Sequence, residues 1–286
     1  MRGRTLAVVF VLLWSTGFIS TRLAAPHSGA LSFLFVRFAL VVCAIAPFAL
    51  LAGRRAWPAS RRQIGHVAVA GLLIQFGYLG GVFVAIYRGM PAATAALIVG
   101  LQPILTALAG RVIGERVRAV QWLGLSLGFA GVTLVVSQRS RLGGFDAQTL
   151  VFNVLSLLSI TAGTLYQRRF CRTGDLRGQS VIQFAAAGLV ALPFAVAEGF
   201  DVRFTPALLL ALVWSVLVLS LGAVTLLMVL LRSGTATSVS SLFYLVPPVT
   251  AVMAYIGFGD RLTPLAFAGF AVVAVGVAIS LREPAT

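Results

Sequence analysis

The sequence predicts an all-α integral membrane protein, with ten transmembrane helices arranged as two inverted five-helix repeats. Three observations carry that expectation. The first is composition: 59% of the 286 residues are hydrophobic and only 10% are charged, with a mean hydropathy of +1.01. Soluble chains carry about 25% charged residues, so this one lacks the polar surface to cover a globule of its size. The second is the apolar runs, each roughly 18–24 residues between charged or Pro/Gly-containing breaks, a length that crosses a ~30 Å hydrocarbon core as helix. The third is an internal repeat. Residues 99–117 read VGLQPILTALAGRVIGERV and residues 244–262 read YLVPPVTAVMAYIGFGDRL. In register, Pro103 meets Pro248, Gly114 meets Gly259, Glu115 meets Asp260 and Arg116 meets Arg261.

The offset of 145 residues (248 minus 103) also maps Gly77 to Gly222, Gly89 to Gly234, Gly124 to Gly269 and Gly131 to Gly276. The repeat therefore divides the chain into 1–143 and 144–286, five spans in each. An odd number of spans forces the second copy into the bilayer upside down. Opposed halves of this kind mark many secondary transporters, because they can form two oppositely open states. A duplicated scaffold without transport is the structural alternative.

Span one, 5–23, follows Arg2 and Arg4 and could pass for a signal peptide. Nine further apolar segments come after it, so it is read as an uncleaved span. Those segments are 31–52, 66–87, 93–113, 119–137, 149–167, 179–197, 207–230, 237–257 and 264–281. All are continuously apolar and lack the alternation of outer-membrane barrel strands. In span four Pro103 cannot donate to the carbonyl of Val99, and in span nine Pro247 and Pro248 cannot donate to those of Phe243 and Tyr244. Such breaks persist where the backbone faces protein or a wet cavity. Spans four and nine are thus expected to line a central path, with Pro103, Pro247 and Pro248 as helix-break or gating positions; a kink used only for packing is the alternative. Gly124, Gly128, Gly131, Gly269 and Gly276 predict close helix packing by spans five and ten.

The net charge is +15, all of it from arginine. Nearly every arginine sits in a break, which is topology signalling rather than a basic face for nucleic acid. With the N-terminus cytoplasmic, fourteen arginines fall inside and six outside, with Arg37 and Arg111 within spans. Both termini are therefore expected inside. Cys43 and Cys171 form no CxxC and no disulfide framework.

The seven acids, Glu115, Asp146, Asp175, Glu198, Asp201, Asp260 and Glu283, all fall in breaks or at helix ends. A cation site or proton relay needs a carboxylate within the membrane, so cationic cargo and carboxylate-based proton coupling are disfavoured. No HExxH, His/Asp cluster or acidic pair suggests an enzyme, a bound metal or a cofactor. Glu115 and Asp260 read as helix-start residues at the positive end of a dipole, with gating as a second role, and Thr263 and Pro264 as cap and first residue. His66 and His27 read as solvated.

Arg37, about two turns into span two, can greet a substrate carboxylate as a forked donor. It can equally snorkel or bond a neighbouring helix. Uncharged polar and aromatic residues at mid-depth complete the candidate substrate-binding set: Trp14 in span one, Gln75 and Tyr78 on one face of span three, Gln102 in span four, Trp214 in span eight, and Tyr244 with Thr237, Ser240 and Ser241 in span nine. Aromatic walls with a few hydrogen-bonding groups suit a small zwitterion, although Ser, Thr and Gln also join helices. Spans one, three, four, eight and nine are expected around the site. A single chain with both halves predicts a functional monomer in the lipid bilayer, working on a small-molecule substrate.

Trp14-Ser15-Thr16-Gly17-Phe18 in span one and Gly114-Glu115-Arg116 entering span five, within a ten-helix duplicated frame, resemble the EamA family of the drug/metabolite transporter superfamily. The resemblance covers two units, roughly 5–137 and 149–281. It implies a bacterial inner-membrane carrier, often an exporter of amino acids or related metabolites; a carrier or flippase for larger conjugates or lipids is the alternative. Two departures stand out. The second unit begins with Ser159-Ile160-Thr161-Ala162-Gly163, without the tryptophan, and has Asp260 where glutamate is usual.

Overall fold

The computed structural model describes residues 2–112, 122–124, 126–127, 129–134, 146–172, 174–233, 243–260 and 264–280. Among these the chain is almost entirely helical, and its only strand-like feature is an isolated bridge between Ser28 and Val202. Six stretches are long and apolar enough to cross a membrane: Val8–His27, Ala30–Leu51, Arg61–Tyr87, Ala147–Phe170, Leu176–Ala197 and Pro206–Leu230. They correspond to spans one, two, three, six, seven and eight. Shorter apolar helices cover parts of spans four, five and nine, and Pro264–Ser280 covers span ten.

Helix starts follow local chemistry. Ser60 accepts from the Gln63 amide, Asp146 from Thr149, Asp175 from Arg177 and Thr205 from Leu208. Each side chain satisfies an amide that the first turn leaves without a partner. Thr205 is followed by Pro206, whose missing N–H costs nothing at that position.

The proline-broken spans are not kinked helices. Span four is two helices, Ala92–Val99 and Gln102–Val112, separated at Gly100 and Leu101. Span nine runs through the tight turn Phe243–Leu245 into the helix Val246–Phe258. Pro103, Pro247 and Pro248 all lie in the first turn of a restarted helix, where no donor is required. The two breaks face each other, since a Cβ on Gly100 would stand 2.9 Å from Cγ of Pro247. Protein rather than lipid therefore covers the interrupted backbone.

Spans three and eight carry a different irregularity. Leu72–Tyr78 in the middle of span three and Trp214–Ala223 in span eight are π-helical. The 145-residue offset maps one stretch onto the other, Leu72 to Leu217 and Tyr78 to Ala223.

Span two packs most extensively on span seven, with the Phe38 and Phe184 rings 5.8 Å apart. One end of this pair is tied by Glu198, whose carboxylate accepts from the Leu31 and Ser32 amides and the Ser32 hydroxyl. A carboxylate suits the positive end of span two. Close backbone approach is clear on span three. A Cβ on Gly71 would lie 2.5 Å from Cα of Gln183 in span seven, and Gly81 abuts Phe152 and Ser156 of span six. Span ten exposes Leu265, Phe267 and Val275 and packs Phe270 against the core.

Candidate functional site

A cavity lies between spans one, two, three and eight of the bundle. Span one contributes Trp14, Gly17, Phe18 and Thr21, and span two contributes Arg37. Span three supplies Ile74, Gln75, Tyr78, Leu79, Val82 and Phe83, and span eight supplies Leu219, Ala223 and Val224. Most of the span-three and span-eight wall comes from the two π-helical stretches. A π turn admits an extra residue into the ladder and re-aims the side chains around it, which is how Ile74, Gln75 and Tyr78 share one wall.

The aromatic part of the wall is rigid. The Trp14 and Tyr78 rings are nearly parallel at 6.2 Å, and Trp14 is held edge-on by Phe243 at 5.3 Å and tilted against Phe10 at 5.2 Å. Phe10 and Phe243 are fully buried behind it. Gln75 is 1% exposed and its Nε2 has no hydrogen-bond partner among the described residues.

Arg37 is 3% exposed, so it does not snorkel. Its Nε and Nη2 donate to the Ser220 hydroxyl of span eight at 3.1 and 3.0 Å. No carboxylate pairs with it among the described residues. Burying an arginine in a membrane helix costs about 2.5–3.5 kcal/mol on insertion scales, and a single neutral hydroxyl offsets little of that.

Four of the seven expected substrate-binding residues, Trp14, Arg37, Gln75 and Tyr78, thus meet at one cavity. Gln102 is buried elsewhere and donates from Nε2 to Thr164 of span six at 3.1 Å. Trp214 is 37% exposed on the flank of span eight and donates to Thr16 at 2.9 Å. Tyr244 lies in the turn before Val246, and its side chain is outside the described residues, as are Thr237, Ser240, Ser241, Thr263 and Glu115. Among the described residues, Pro103, Pro247, Pro248 and the rest of spans four and nine do not line the cavity. Span two takes their place.

The end of the bundle assigned to the outside is closed by contacts that sequence reading missed. Arg22 of span one forms an ion pair with Asp260, and its guanidinium lies 4.5 Å from the Phe258 ring. Asp260 is therefore engaged across the bundle, four residues before the helix that begins at Pro264. Ala92–Val99 and Val246–Phe258 pack together beside this pair. At the opposite end His66 bonds Tyr166 at 2.8 Å and stacks on Phe170 at 4.6 Å, so it is not freely solvated. Cys171, just beyond span six, is buried against Val67 and Ala70, and burial pushes its thiol up to about 11. Among the described residues no group of His, Cys, Asp and Glu could hold a metal ion.

A bundle of membrane-length apolar helices around a buried cavity defines the class as a polytopic membrane transporter. The chain belongs to the EamA-like transporter family, which it matches over residues 1–137 and again over 148–282. It is 27% identical over 270 residues to the uncharacterised inner membrane transporter YedA of Escherichia coli K12, covering 91% of this chain and 86% of that protein. It is 26% identical over 288 residues to a "probable amino-acid metabolite efflux pump" of Salmonella typhimurium, covering 96% and 93%. Identity is also 26% over 284 residues with a "probable terminal-alkyne amino-acid exporter" of Streptantibioticus cattleyicolor, covering 96% and 92%. A solved structure described only as the crystal structure of a protein shares the fold, with a TM-score of 0.71 at 20% identity over 96% of this chain and 94% of that one.

Proposed function

We propose that the protein is a bacterial inner-membrane carrier of amino acids, an exporter or facilitator that alternates access between two inverted five-helix halves, with both termini cytoplasmic. The observation that carries the reading is the cavity wall. Ile74 and Leu219, Tyr78 and Ala223, and Leu79 and Val224 are pairs at the 145-residue offset, and all six line the cavity. A site lined by equivalent positions of two opposed halves is where alternating access places its cargo. Trp14 and Tyr78 bound the apolar side chain, while Arg37 and Gln75 meet the polar end. Gln102 and Trp214 support neighbouring helices instead. The Arg22–Asp260 pair and the Gly100–Pro247 contact form the outer closure that must part to release cargo.

Two relatives named for amino-acid efflux or export support this cargo class. Among the described residues the lining contains no His, Cys, Asp or Glu, which favours a carrier over a catalyst and favours flux independent of a proton gradient. A mostly aromatic and aliphatic lining with a few polar groups suits a small metabolite. The test is uptake into proteoliposomes containing purified protein, with labelled neutral, aromatic, cationic and acidic amino acids. Neutral and aromatic species should move, with or without an imposed pH gradient. Silence across the panel with folded protein would refute the reading.

A further inference from the structure

An amino acid carries two charged groups, and the cavity treats them unequally. Arg37 presents a buried guanidinium whose five N–H groups are only partly used. Nε and Nη2 bond Ser220, and no hydrogen bond from Nη1 is present among the described residues. Ser220 is itself 1% exposed, so the fork is held in place with one edge open to the cavity that Arg37 lines. The ammonium group finds no such partner. Among the described residues no lining residue is acidic, and what remains there for a cation is the rings of Trp14 and Tyr78 and the amide of Gln75.

We infer that the cavity selects its cargo by the carboxylate, docked on the open edge of Arg37, and that the α-amino group is dispensable. The substrate class is then small monocarboxylates with an apolar or aromatic tail, of which neutral amino acids are one kind. The inference rests on the cavity being the transport site. A carboxylate is the group that a planar guanidinium receives with two parallel hydrogen bonds, and docking there gives a buried cation its missing counter-charge. A guanidinium serving only to join spans two and eight would gain nothing from its charge, because a neutral amide makes the same bond to a hydroxyl.

The experiment is competition against labelled L-phenylalanine in counterflow, with proteoliposomes of wild-type protein. The unlabelled competitors are 3-phenylpropionate, which lacks the amino group, and phenethylamine, which lacks the carboxylate. Melting shifts of the detergent-solubilised protein with the same compounds read binding without transport. The carboxylate should compete within about threefold of L-phenylalanine, and the amine about 30-fold more weakly, the loss expected for hydrogen bonds to a charged group. Arg37→Gln should erase the preference for 3-phenylpropionate over phenethylamine, and Arg37→Lys should restore part of it. Should Arg37→Gln fail to fold, the wild-type competition and Arg37→Lys still decide. Equal competition by the amine, or none by 3-phenylpropionate while L-phenylalanine is transported, overturns the inference and leaves the carrier reading intact. No flux or melting shift with any of the three compounds overturns both.

Discussion

Leu72–Tyr78 and Trp214–Ala223 share a backbone departure and differ in the chemistry they carry. Both are π-helical and both face the cavity. At paired positions, however, the first has Gln75 and Tyr78 where the second has Ser220 and Ala223. The same bias extends to spans one and two, whose Trp14 and Arg37 are paired by the offset with Ser159 and Ile182. The paired irregularity lies in the backbone, while most of the polar and aromatic groups at the cavity come from one side. Two-state motion needs matched halves, but a small asymmetric molecule needs only one set of hydrogen-bonding and aromatic groups.

The comparison can be broken most severely by filling the empty side. Ala223→Tyr places a second ring opposite Tyr78 and should lower L-phenylalanine counterflow about 100-fold, with a melting temperature that falls only as far as mild overpacking requires. The double variant Tyr78→Ala/Ala223→Tyr moves the ring from one wall to the other. Recovery of flux would mean that ring volume suffices, and persistent loss that its side matters. Tyr78→Ala alone removes the parallel partner of Trp14 and should weaken apparent affinity for aromatic cargo about tenfold, a loss of roughly 1.4 kcal/mol. Ser220→Ala frees the Arg37 fork without removing its charge and should cost about threefold in apparent affinity, read in the same counterflow assay.

Smaller effects belong to the ends of the bundle. A partly exposed ion pair contributes about 0–1 kcal/mol, so Asp260→Asn should shift the conformational balance no more than about fivefold. The reporter is a cysteine at Thr21, which lines the cavity; its labelling by an impermeant maleimide from outside should rise by that factor. At the opposite end, burial holds Cys171 protonated through neutral pH. Its labelling should be slow at pH 7.5 and should accelerate as pH rises toward 11, because the thiolate is the reacting form.

Span limits were legible because hydropathy and breaker residues report length directly. Arg37 and Tyr78 stood out by residue type, a charge and a phenol in an otherwise apolar run. The rotation of each helix about its axis was not legible. Span two is apolar all round apart from Ser32 near its start and Arg37, so its periodicity does not say which face meets a cavity. Trp214 and Gln102 were chosen for what they are, and tertiary packing turned them elsewhere. The π turns leave no periodic signal, since they arise where spans three and eight pack against their neighbours. Asp260 was read locally because its partner Arg22 is 238 residues away.

The bond from Arg37 to Ser220 joins residues 183 positions apart. At about 5–20 residues per second, the ribosome needs roughly 9–37 s to make the second after the first. Span two must therefore enter the bilayer with its guanidinium unsatisfied and wait for most of the chain to be synthesised. A chain stalled before span eight therefore lacks the one hydrogen-bond partner that the finished bundle gives this guanidinium among the described residues.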